Sequence, residues 1–243
     1  MSTLEVADHP DGVRCVTLNR PAARNALRRA EFTALIDTLA GAAADDNVRV
    51  LLLAGRGPTF CAGGDLKETG EIGSTNLDDH PVHELTDRLA GWEKPLVAAV
   101  HGPAVGFGFT MLLHFDVVVA GREATFAAPF ARLGVPTEAG SSYLLPEVAG
   151  SRVATRMLLL GEKLTAPEAL AHGLASHLAD GDRDAVVAAA RELAARLAAF
   201  RPDAVRLNKR LLRSAHREPV AAAQARERTA LAGQLAALRT SAG

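Results

Sequence analysis

The sequence predicts an α/β fold in which strand-like and helix-like runs alternate before a helical C-terminal region. Continuous apolar runs at residues 48–55 and 95–102 are typical of strands that are covered on both faces. A glycine-rich turn and a helix-like run follow each of them, and beyond Pro146 the pattern is helical. This alternation predicts stacked βαβ-type units with right-handed crossovers.

The composition indicates an ordinary globular protein and argues against several classes of partner. The chain of 243 residues is 48% hydrophobic and 23% charged, which suits one main domain with a large core. Its formal net charge is −1, so it has no bulk attraction for nucleic acid or for an anionic membrane. An anionic ligand therefore has to be bound locally, by arginine side chains or by backbone donors.

The termini and the cysteines predict a cytoplasmic protein without a metal site. The first 12 residues contain neither a basic n-region nor an apolar h-region, and the final SAG is not a peroxisomal signal. Cys15 and Cys61 form neither a disulfide framework nor a zinc-ligand spacing. The eight histidines lack the HxH and HExxH spacings of common metal sites.

The N-terminal part is predicted to contain an edge strand and a long helix. Residues 12–21 alternate apolar and polar side chains up to a proline, which is typical of an edge strand. A helical stripe of apolar side chains follows in residues 25–46, with Asn25 as the candidate N-cap. Residues 67–92 have a weaker pattern, which suggests a variable loop and one short helix.

Residues 96–120 are long and apolar enough to raise the alternative of a membrane span. Glycine and proline interrupt them, and Asp116 and two histidines would be costly to bury in lipid. The segment is therefore interpreted as a buried strand, a turn, a helix and a second strand. A further short strand is predicted within residues 124–130.

The C-terminal part is predicted to be helical, with a soft boundary near residue 200. Residues 1–200 are assigned to the α/β core and residues 201–243 to a helical region. The leucine stripes of this region need burial, either on the chain's own core or on a neighbouring subunit, and the sequence leaves both open. These stripes consist of Leu207, Leu211, Leu212, Leu231, Leu235 and Leu238.

Two glycine-rich turns are the most informative feature of the chain. FCAGGDL (residues 60–66) and HGPAVGFG (residues 101–108) leave backbone N–H groups free at a helix N-terminus, where the helix dipole favours negative charge. If the N–H groups of Gly64 and Phe107 converge on one oxygen, they form an oxyanion hole. The alternative is that the glycines only permit tight packing between strand and helix.

Glu138 is the candidate proton acceptor. Apolar residues surround it in sequence, and desolvation by such neighbours raises the pKa of a carboxyl group toward neutrality. The local sequence by itself favours the alternative, a solvated glutamate in the first turn of a helix. Cys61 has no marked histidine as its base, and Ser141 and Ser142 lack the G-x-S-x-G elbow of serine hydrolases.

Several segments give the chain a specific resemblance that covers nearly its whole length. They are LNRPAARNAL, FCAGGDL, KPLVAAVHGPAVGFG, DVVVA, FAAPFARLGVPTEAGSSYLLPEVAG and LTAPEALAHGL. In these segments and in their order the chain resembles the crotonase, or enoyl-CoA hydratase/isomerase, family. The resemblance implies a spiral of ββα units with a C-terminal helical region that serves as an oligomer contact or a lid over CoA. It also implies a homotrimer or a dimer of trimers that acts on acyl-CoA thioesters without a separate cofactor.

The resemblance also implies roles for individual residues. The N–H groups of Gly64 and Phe107 would bind the thioester oxygen and stabilise an enolate, each contributing roughly 3–4 kcal/mol in the transition state. A second group of residues resembles the stretches that contact the adenine, phosphates and pantetheine of CoA. This group consists of Ala23, Arg24, Ala62, Gly63, Asp65 and Leu66.

The chain departs from the family's hydratases at two positions. Those enzymes carry two glutamates that position and activate water, and the equivalent positions here are Thr110 and Phe130. Glu138 instead occupies the position of the single carboxylate in peroxisomal-type Δ3,Δ2-enoyl-CoA isomerases. The resemblance therefore implies an isomerase with Glu138 as proton shuttle. The alternatives are another CoA thioester reaction, such as inefficient hydration, ring-enoyl isomerisation or thioester hydrolysis, and a non-catalytic acyl-CoA-binding member.

Overall fold

The computed structural model describes residues 3–68 and 80–241, which contain two β-sheets surrounded by helices. The larger sheet has six strands in the order β1-β2-β3-β4-β6-β9, and the smaller has three in the order β5-β7-β8. All neighbours in the larger sheet are parallel except β1 and β2. The strands are β1 (Leu4–Asp8), β2 (Val13–Leu18), β3 (Val50–Gly55), β4 (Leu96–Val100), β5 (Pro103–Val105), β6 (Val117–Gly121), β7 (Thr125–Ala127), β8 (Lys163–Thr165) and β9 (His177–Ala179).

The helices follow the strands in a repeating order and then dominate the C-terminal third. They are α1 (Arg29–Ala44), α2 (Pro81–Ala90), α3 (Phe107–Thr110), α4 (Ser141–Ala149), α5 (Ser151–Leu158), α6 (Ala166–Ala171), α7 (Arg183–Ala198), α8 (Pro202–Ser214) and α9 (Arg217–Ser241). A 3₁₀-helix, Met111–His114, directly continues α3. The short helix expected within residues 67–92 is α2, whereas the loop expected before it lies mostly outside the described residues.

The chain forms a spiral because consecutive strands belong to different sheets. β4 lies in the larger sheet and β5, only three residues further on, lies in the smaller one; β6 and β7 repeat this step. Cys61, after β3, pairs with Ala104 of β5 as an isolated parallel bridge, so the first turn makes the same step. The α/β fold with ββα units and a C-terminal helical region is therefore confirmed.

The expectation that residues 12–21 form an edge strand is wrong. β2 lies between β1 and β3, and β1 is the edge. The polar positions of β2 are matched by ion pairs rather than by open solvent, since Arg14 pairs with Asp8 at 2.6 Å and with Asp45 at 3.3 Å. β1 has a mostly exposed, partly acidic sequence, LEVAD, which gives no apolar run to detect.

Asn25 does not cap the first helix. α1 begins at Arg29, and its N-terminus is closed by Arg28 and Glu31. Asn25 is instead buried, with its side-chain amide donating to the carbonyl oxygens of Thr59 (2.7 Å) and Phe60 (3.1 Å). It therefore fixes the segment that leads into the first glycine-rich turn.

Helix α7 covers one face of the larger sheet. Val186, Ala190 and Ala194 of this helix are buried against Leu52 and Val97 of the central strands. Alanine at these positions lets the helix approach the sheet closely, so both faces of the central strands are dry. Among the described residues no helix is long and apolar enough to span a bilayer.

Helices α8 and α9 follow the boundary that the sequence predicts near residue 200. A partly buried ion pair between Lys209 and Asp116 (2.6 Å) ties α8 to the starts of β4 and β6, since Asp116 precedes β6 and also accepts from Leu96 N–H. Leu207, Leu211 and Leu212 are exposed on the chain, at 50%, 63% and 79% of their surface. The division into residues 1–200 and 201–243 stays a prediction.

Candidate active site

The two glycine-rich turns lie against each other at the N-terminal end of α3. Val105 N–H donates to Cys61 O (2.9 Å), and Cys61 N–H donates to Pro103 O (3.2 Å). A Cβ atom added to Gly63 would lie 2.7 Å from Val105 O and 3.2 Å from Phe107 N. Although the turns are about 40 residues apart in sequence, their backbones are therefore in direct contact.

The N–H groups of Gly64 and Phe107 border this contact. Phe107 is the first residue of α3, so its N–H has no partner inside the helix. Within residues 3–68 and 80–241 neither of the two N–H groups donates to an acceptor. A Cβ built on Gly64 has no atom within 4 Å, so there is space beside this residue for a substrate atom. The role of the pair as an oxyanion hole stays a prediction.

Two positions in the turns require glycine for structural reasons. Gly106 precedes α3 with φ 56° and ψ −127°, and Gly63 has φ 88°. L-residues rarely adopt such angles, and a side chain on Gly63 would also collide with the second turn. Tight packing and a donor site are therefore compatible, because the same glycines that close the contact leave the neighbouring N–H groups open.

The residues predicted to contact CoA come together beside the first turn. Ala62 N–H donates to Arg24 O (3.0 Å), and Asp65 N–H donates to Leu27 O (2.8 Å). These bonds place Ala23 and Arg24 next to the segment that contains Ala62, Gly63, Asp65 and Leu66.

The side chains of this group differ in their freedom to bind a ligand. Arg24 is exposed, and 62% of Leu66 is exposed. Asp65 accepts two hydrogen bonds from the guanidinium of Arg20 at 3.2 Å, so its carboxylate stabilises the turn. The assignment of the group to CoA stays a prediction.

Glu138 lies in the loop before α4 and borders a small pocket. Its side chain is partly buried. Burial raises the pKa of Glu138 from 4.5 to about 7, and the negative charge of Glu227 adds to the increase. The pocket is also lined by Val82 and Gln224, from α2 and α9. This environment differs from the solvated glutamate that the local sequence favours.

His114 holds the Glu138 loop from the side of the glycine-rich turns. It ends the 3₁₀-helix that continues α3, and its Nε2–H donates to Ala139 O at 2.8 Å. Desolvation lowers the pKa of His114 to about 4, so the ring is neutral at physiological pH. The segment from Phe107 to His114 spans roughly 10–14 Å. One short rigid piece of chain thus joins the candidate donors to the loop of the candidate base.

Glu227 holds the same loop from the opposite side. Its carboxylate accepts hydrogen bonds from Gly140 N–H (2.7 Å) and Ser142 N–H (2.9 Å). Ser141 adds a local bond, since its hydroxyl donates to Glu138 O at 2.6 Å.

The sequence resemblance predicts that Thr110 and Phe130 stand where the family's hydratases carry glutamates. Thr110 is fully buried in α3, and its hydroxyl has no hydrogen-bond partner among the described residues. Phe130 is 7% exposed and belongs to the apolar cluster that also contains Phe107 and Ala139. Neither side chain can accept a proton from water or from a substrate carbon at neutral pH.

The other candidate groups do not assemble a second kind of site. Cys61 is buried, and burial raises the pKa of its thiol to about 12, which makes it a poor nucleophile. No group of three His, Cys, Asp or Glu side chains within the described ranges is arranged to hold a metal ion.

The structure adds His114 and Glu227 to the site residues that the sequence predicts. His114 is the one histidine inside the otherwise apolar stretch of residues 107–115, and a polar side chain in such a stretch needs a partner. Glu227 lies on the same buried face of α9 as Val220 and Ala223, at helical spacing. The sequence signal for Glu227 is a glutamate that helical spacing places on the same face as apolar residues.

Comparison with known proteins identifies the family of the chain and agrees with its fold. The family model described as "Enoyl-CoA hydratase/isomerase" matches residues 8–238. The chain belongs to the enoyl-CoA hydratase/isomerase family. The crotonase resemblance is thereby confirmed, and members of this family act on acyl-CoA thioesters.

Relatives within the enoyl-CoA hydratase/isomerase family carry both activities in their names. The chain is 38% identical to 2,3-dehydroadipyl-CoA hydratase of Escherichia coli K12, over 89% of this chain and 84% of that protein. It is 33% identical to human enoyl-CoA delta isomerase 2, over 94% of this chain and 59% of that protein. A crystal structure of an enoyl-CoA hydratase/isomerase from Pseudoalteromonas atlantica T6c superposes with a TM-score of 0.90 at 38% identity, covering 97% and 92% of the two chains.

Proposed function

We propose that the protein is an acyl-CoA isomerase that converts Δ3-enoyl-CoA to Δ2-enoyl-CoA, with Glu138 as its only proton shuttle. The observation that carries the proposal is the desolvated position of Glu138 beside the charge of Glu227, which raises its pKa to about 7. The resemblance adds that threonine and phenylalanine stand at the hydratase carboxylate positions. A single carboxylate that exchanges protons near neutral pH suffices for a double-bond shift.

The reaction consists of two proton transfers around one stabilised anion. The carboxylate of Glu138 takes a proton from C2 of the substrate, and the electron pair of that C–H bond delocalises into a dienolate. The N–H groups of Gly64 and Phe107 donate to the thioester oxygen, where negative charge develops. Protonated Glu138 then returns the proton at C4, so that the double bond lies between C2 and C3 and the carboxylate is regenerated.

An apolar surrounding favours this reaction over hydration. Phe130 and the buried Thr110 provide no second carboxylate to position a water molecule, and a desolvated site strengthens the interaction of the anion with its donors. CoA is part of the substrate. The proposed contacts to it are Ala23, Arg24, Ala62, Gly63, Asp65 and Leu66. The proposal includes no separate cofactor.

A homotrimer or a dimer of trimers and a cytoplasmic location complete the proposal. The exposed Leu207, Leu211 and Leu212 of α8 support association, since burying such side chains is favourable and they lie unburied on the single chain.

Replacing Glu138 tests the proposed function. We expect Glu138→Gln to lower kcat for a 3-enoyl-CoA by about 10²–10⁴-fold, because glutamine cannot accept the C2 proton. Glu147→Gln is the matched control, since it removes an exposed carboxylate from the helix that follows the loop and should leave kcat unchanged. Chromatography of the CoA products measures both. Full turnover by Glu138→Gln would contradict the proposal, as would wild type that binds CoA thioesters without turnover.

Hydration is the second candidate, and the E. coli hydratase at 38% identity favours it. Wild type should isomerise a 3-enoyl-CoA faster than it hydrates crotonyl-CoA. The reverse ratio would assign the protein to hydration and would require a water-activating group other than residues 110 and 130.

A further inference from the structure

Glu227 is a buried carboxylate of the last helix that contacts the catalytic loop through the backbone. Only 7% of its surface is exposed. Its two oxygens accept separately, Oε2 from Gly140 N–H at 2.7 Å and Oε1 from Ser142 N–H at 2.9 Å. These two amides are at the N-terminus of α4, where intrahelical acceptors are missing and a negative charge is favourable.

The loop between Glu138 and α4 has an unusual backbone that needs such support. Ala139 has φ 65° and Gly140 has φ 72°, and a left-handed alanine costs conformational energy. The loop is bound at two points by distant side chains, His114 at Ala139 O and Glu227 at the next amide. Without Glu227, two N–H groups of the loop would lose their protein acceptor.

The charge of Glu227 also acts on Glu138. The two carboxylates repel each other, which adds to the effect of burial on the pKa of Glu138. Burial raises the pKa of Glu227 as well, but its hydrogen bonds from Ser142 and Gly140 oppose that increase. The loop amides thus favour the ionised form of Glu227, whereas within residues 3–68 and 80–241 no hydrogen bond to the carboxylate of Glu138 opposes the increase in its pKa.

Charged groups of the neighbouring helices also lie near Glu138 and Glu227. Arg228 is paired with Asp87, and its guanidinium also donates to His83 O at 3.3 Å, which directs its charge toward α2. Arg226 favours the ionised form of Glu227. Among the residues that the structure describes, the titratable and charged groups near the pair are His83 and Asp87 of α2, His114 of the 3₁₀-helix, and Arg226 and Arg228 of α9.

We propose that Glu227 is a positioning residue for the reaction: it fixes the loop that carries Glu138 and, by its charge, sets the pH range in which Glu138 exchanges a proton. The inference rests on the proposed role of Glu138 as proton shuttle. It assigns to α9 a part in the chemistry, although Glu227 itself does not touch the reacting carbons.

The pH profile of Glu227→Gln separates this role from a structural one. Glutamine has the same shape but no charge, and it can accept from only one of the two amides. We expect the acid limb of kcat/KM for a 3-enoyl-CoA, with its midpoint at about 7 in wild type, to move about 0.5–1 pH unit lower. The value of kcat should fall about tenfold, because the loop segment loses one of the two hydrogen bonds that it donates to residue 227. Glu218→Gln, on an exposed position of the same helix, is the control and should leave both quantities unchanged.

The possible outcomes distinguish this inference from the proposed function. If Glu138→Gln is inactive but Glu227→Gln has the wild-type midpoint, the positioning role is wrong and the shuttle stands. If Glu138→Gln is active, the shuttle itself is wrong. If Glu227→Gln does not fold, Glu227→Asp decides: the shorter carboxylate keeps the charge but cannot reach both amides, so kcat should fall severalfold at an unchanged midpoint. Wild-type kcat in Glu227→Asp would overturn the inference.

Discussion

The candidate oxyanion hole uses backbone groups of two glycine-rich turns, whereas the Glu138 loop depends on side chains from distant segments. In the turns, the contact between Cys61 and Val105 is made by peptide groups. The glycines permit this contact because they have no side chain that would collide with the opposite turn. The Glu138 loop is held by His114, 25 residues before the bonded carbonyl, and by Glu227, 87 residues after the bonded amide. The donor site thus depends on the residue types that form the two turns, while the proton affinity of the base depends on side chains that the rest of the fold brings to it.

The largest effect is expected from a substitution that disturbs the backbone contact between the two turns. Gly63→Ala places a Cβ 2.7 Å from Val105 O at a positive φ, so the two turns must move apart. We expect kcat for a 3-enoyl-CoA to fall about 10²–10³-fold, as for the loss of an oxyanion donor. The control is Gly233→Ala, on an exposed position of α9, whose added Cβ also meets no atom within 4 Å. Equal losses in the two variants would show that contact between the turns is not what orients the donors.

A smaller effect is expected where one side chain joins the two regions. His114→Phe keeps a ring in the buried site but leaves Ala139 O without its donor. We expect kcat to fall about tenfold and the free energy of unfolding at pH 7 to fall by about 1–3 kcal/mol.

The pH dependence of stability identifies the contribution of His114. Its pKa is lowered to about 4 in the folded protein, so the unfolded chain binds more protons below pH 6.5 and wild type loses stability as the pH falls toward 4. Urea unfolding of His114→Phe at pH 7 and pH 5 should show a smaller loss, with the contribution of His80, whose pKa is also lowered to about 4, still present. An unchanged loss would mean that His114 is not buried in neutral form.

The smallest effect is a gain in stability when the base is neutralised. The folded-state pKa of Glu138 is raised to about 7, so the carboxyl group loses stabilisation as the pH rises from 4.5 through 7. Glu138→Gln should therefore increase the free energy of unfolding at pH 8 by about 1–3 kcal/mol, and the difference should be much smaller at pH 5. Denaturant titration at both pH values measures this difference. Equal stabilities of wild type and Glu138→Gln at pH 8 would contradict the desolvation of the Glu138 carboxylate.

Local patterns in the sequence account for much of the fold. The aliphatic runs of β3 and β4 and the glycines of both turns are recognisable because burial on both faces and positive φ angles restrict the residue types. β5 and β8 are three residues long, too short for a periodic pattern, and only their partners in the smaller sheet define them.

The roles of individual site residues also depend on partners that are distant in sequence. Asn25 precedes a helix and has the right chemistry for a cap, but its acceptors at residues 59 and 60 lie 34 and 35 residues away. Glu138 resembles a solvated glutamate locally because its desolvation and the nearby charge of Glu227 arise only after folding. In both cases the decisive neighbour is distant in sequence, so no window of residues contains the information.

The bond between Gly140 and Glu227 has a consequence for the order in which the protein matures. A chain is synthesised from its N-terminus, and Glu227 is the 87th residue that the ribosome adds after Gly140. The glycine-rich turns and their donors can assemble well before that moment, whereas the loop of the base has to wait for the last helix. A chain that ends before Glu227 therefore lacks the acceptor for the amides of Gly140 and Ser142, even when its glycine-rich turns are complete.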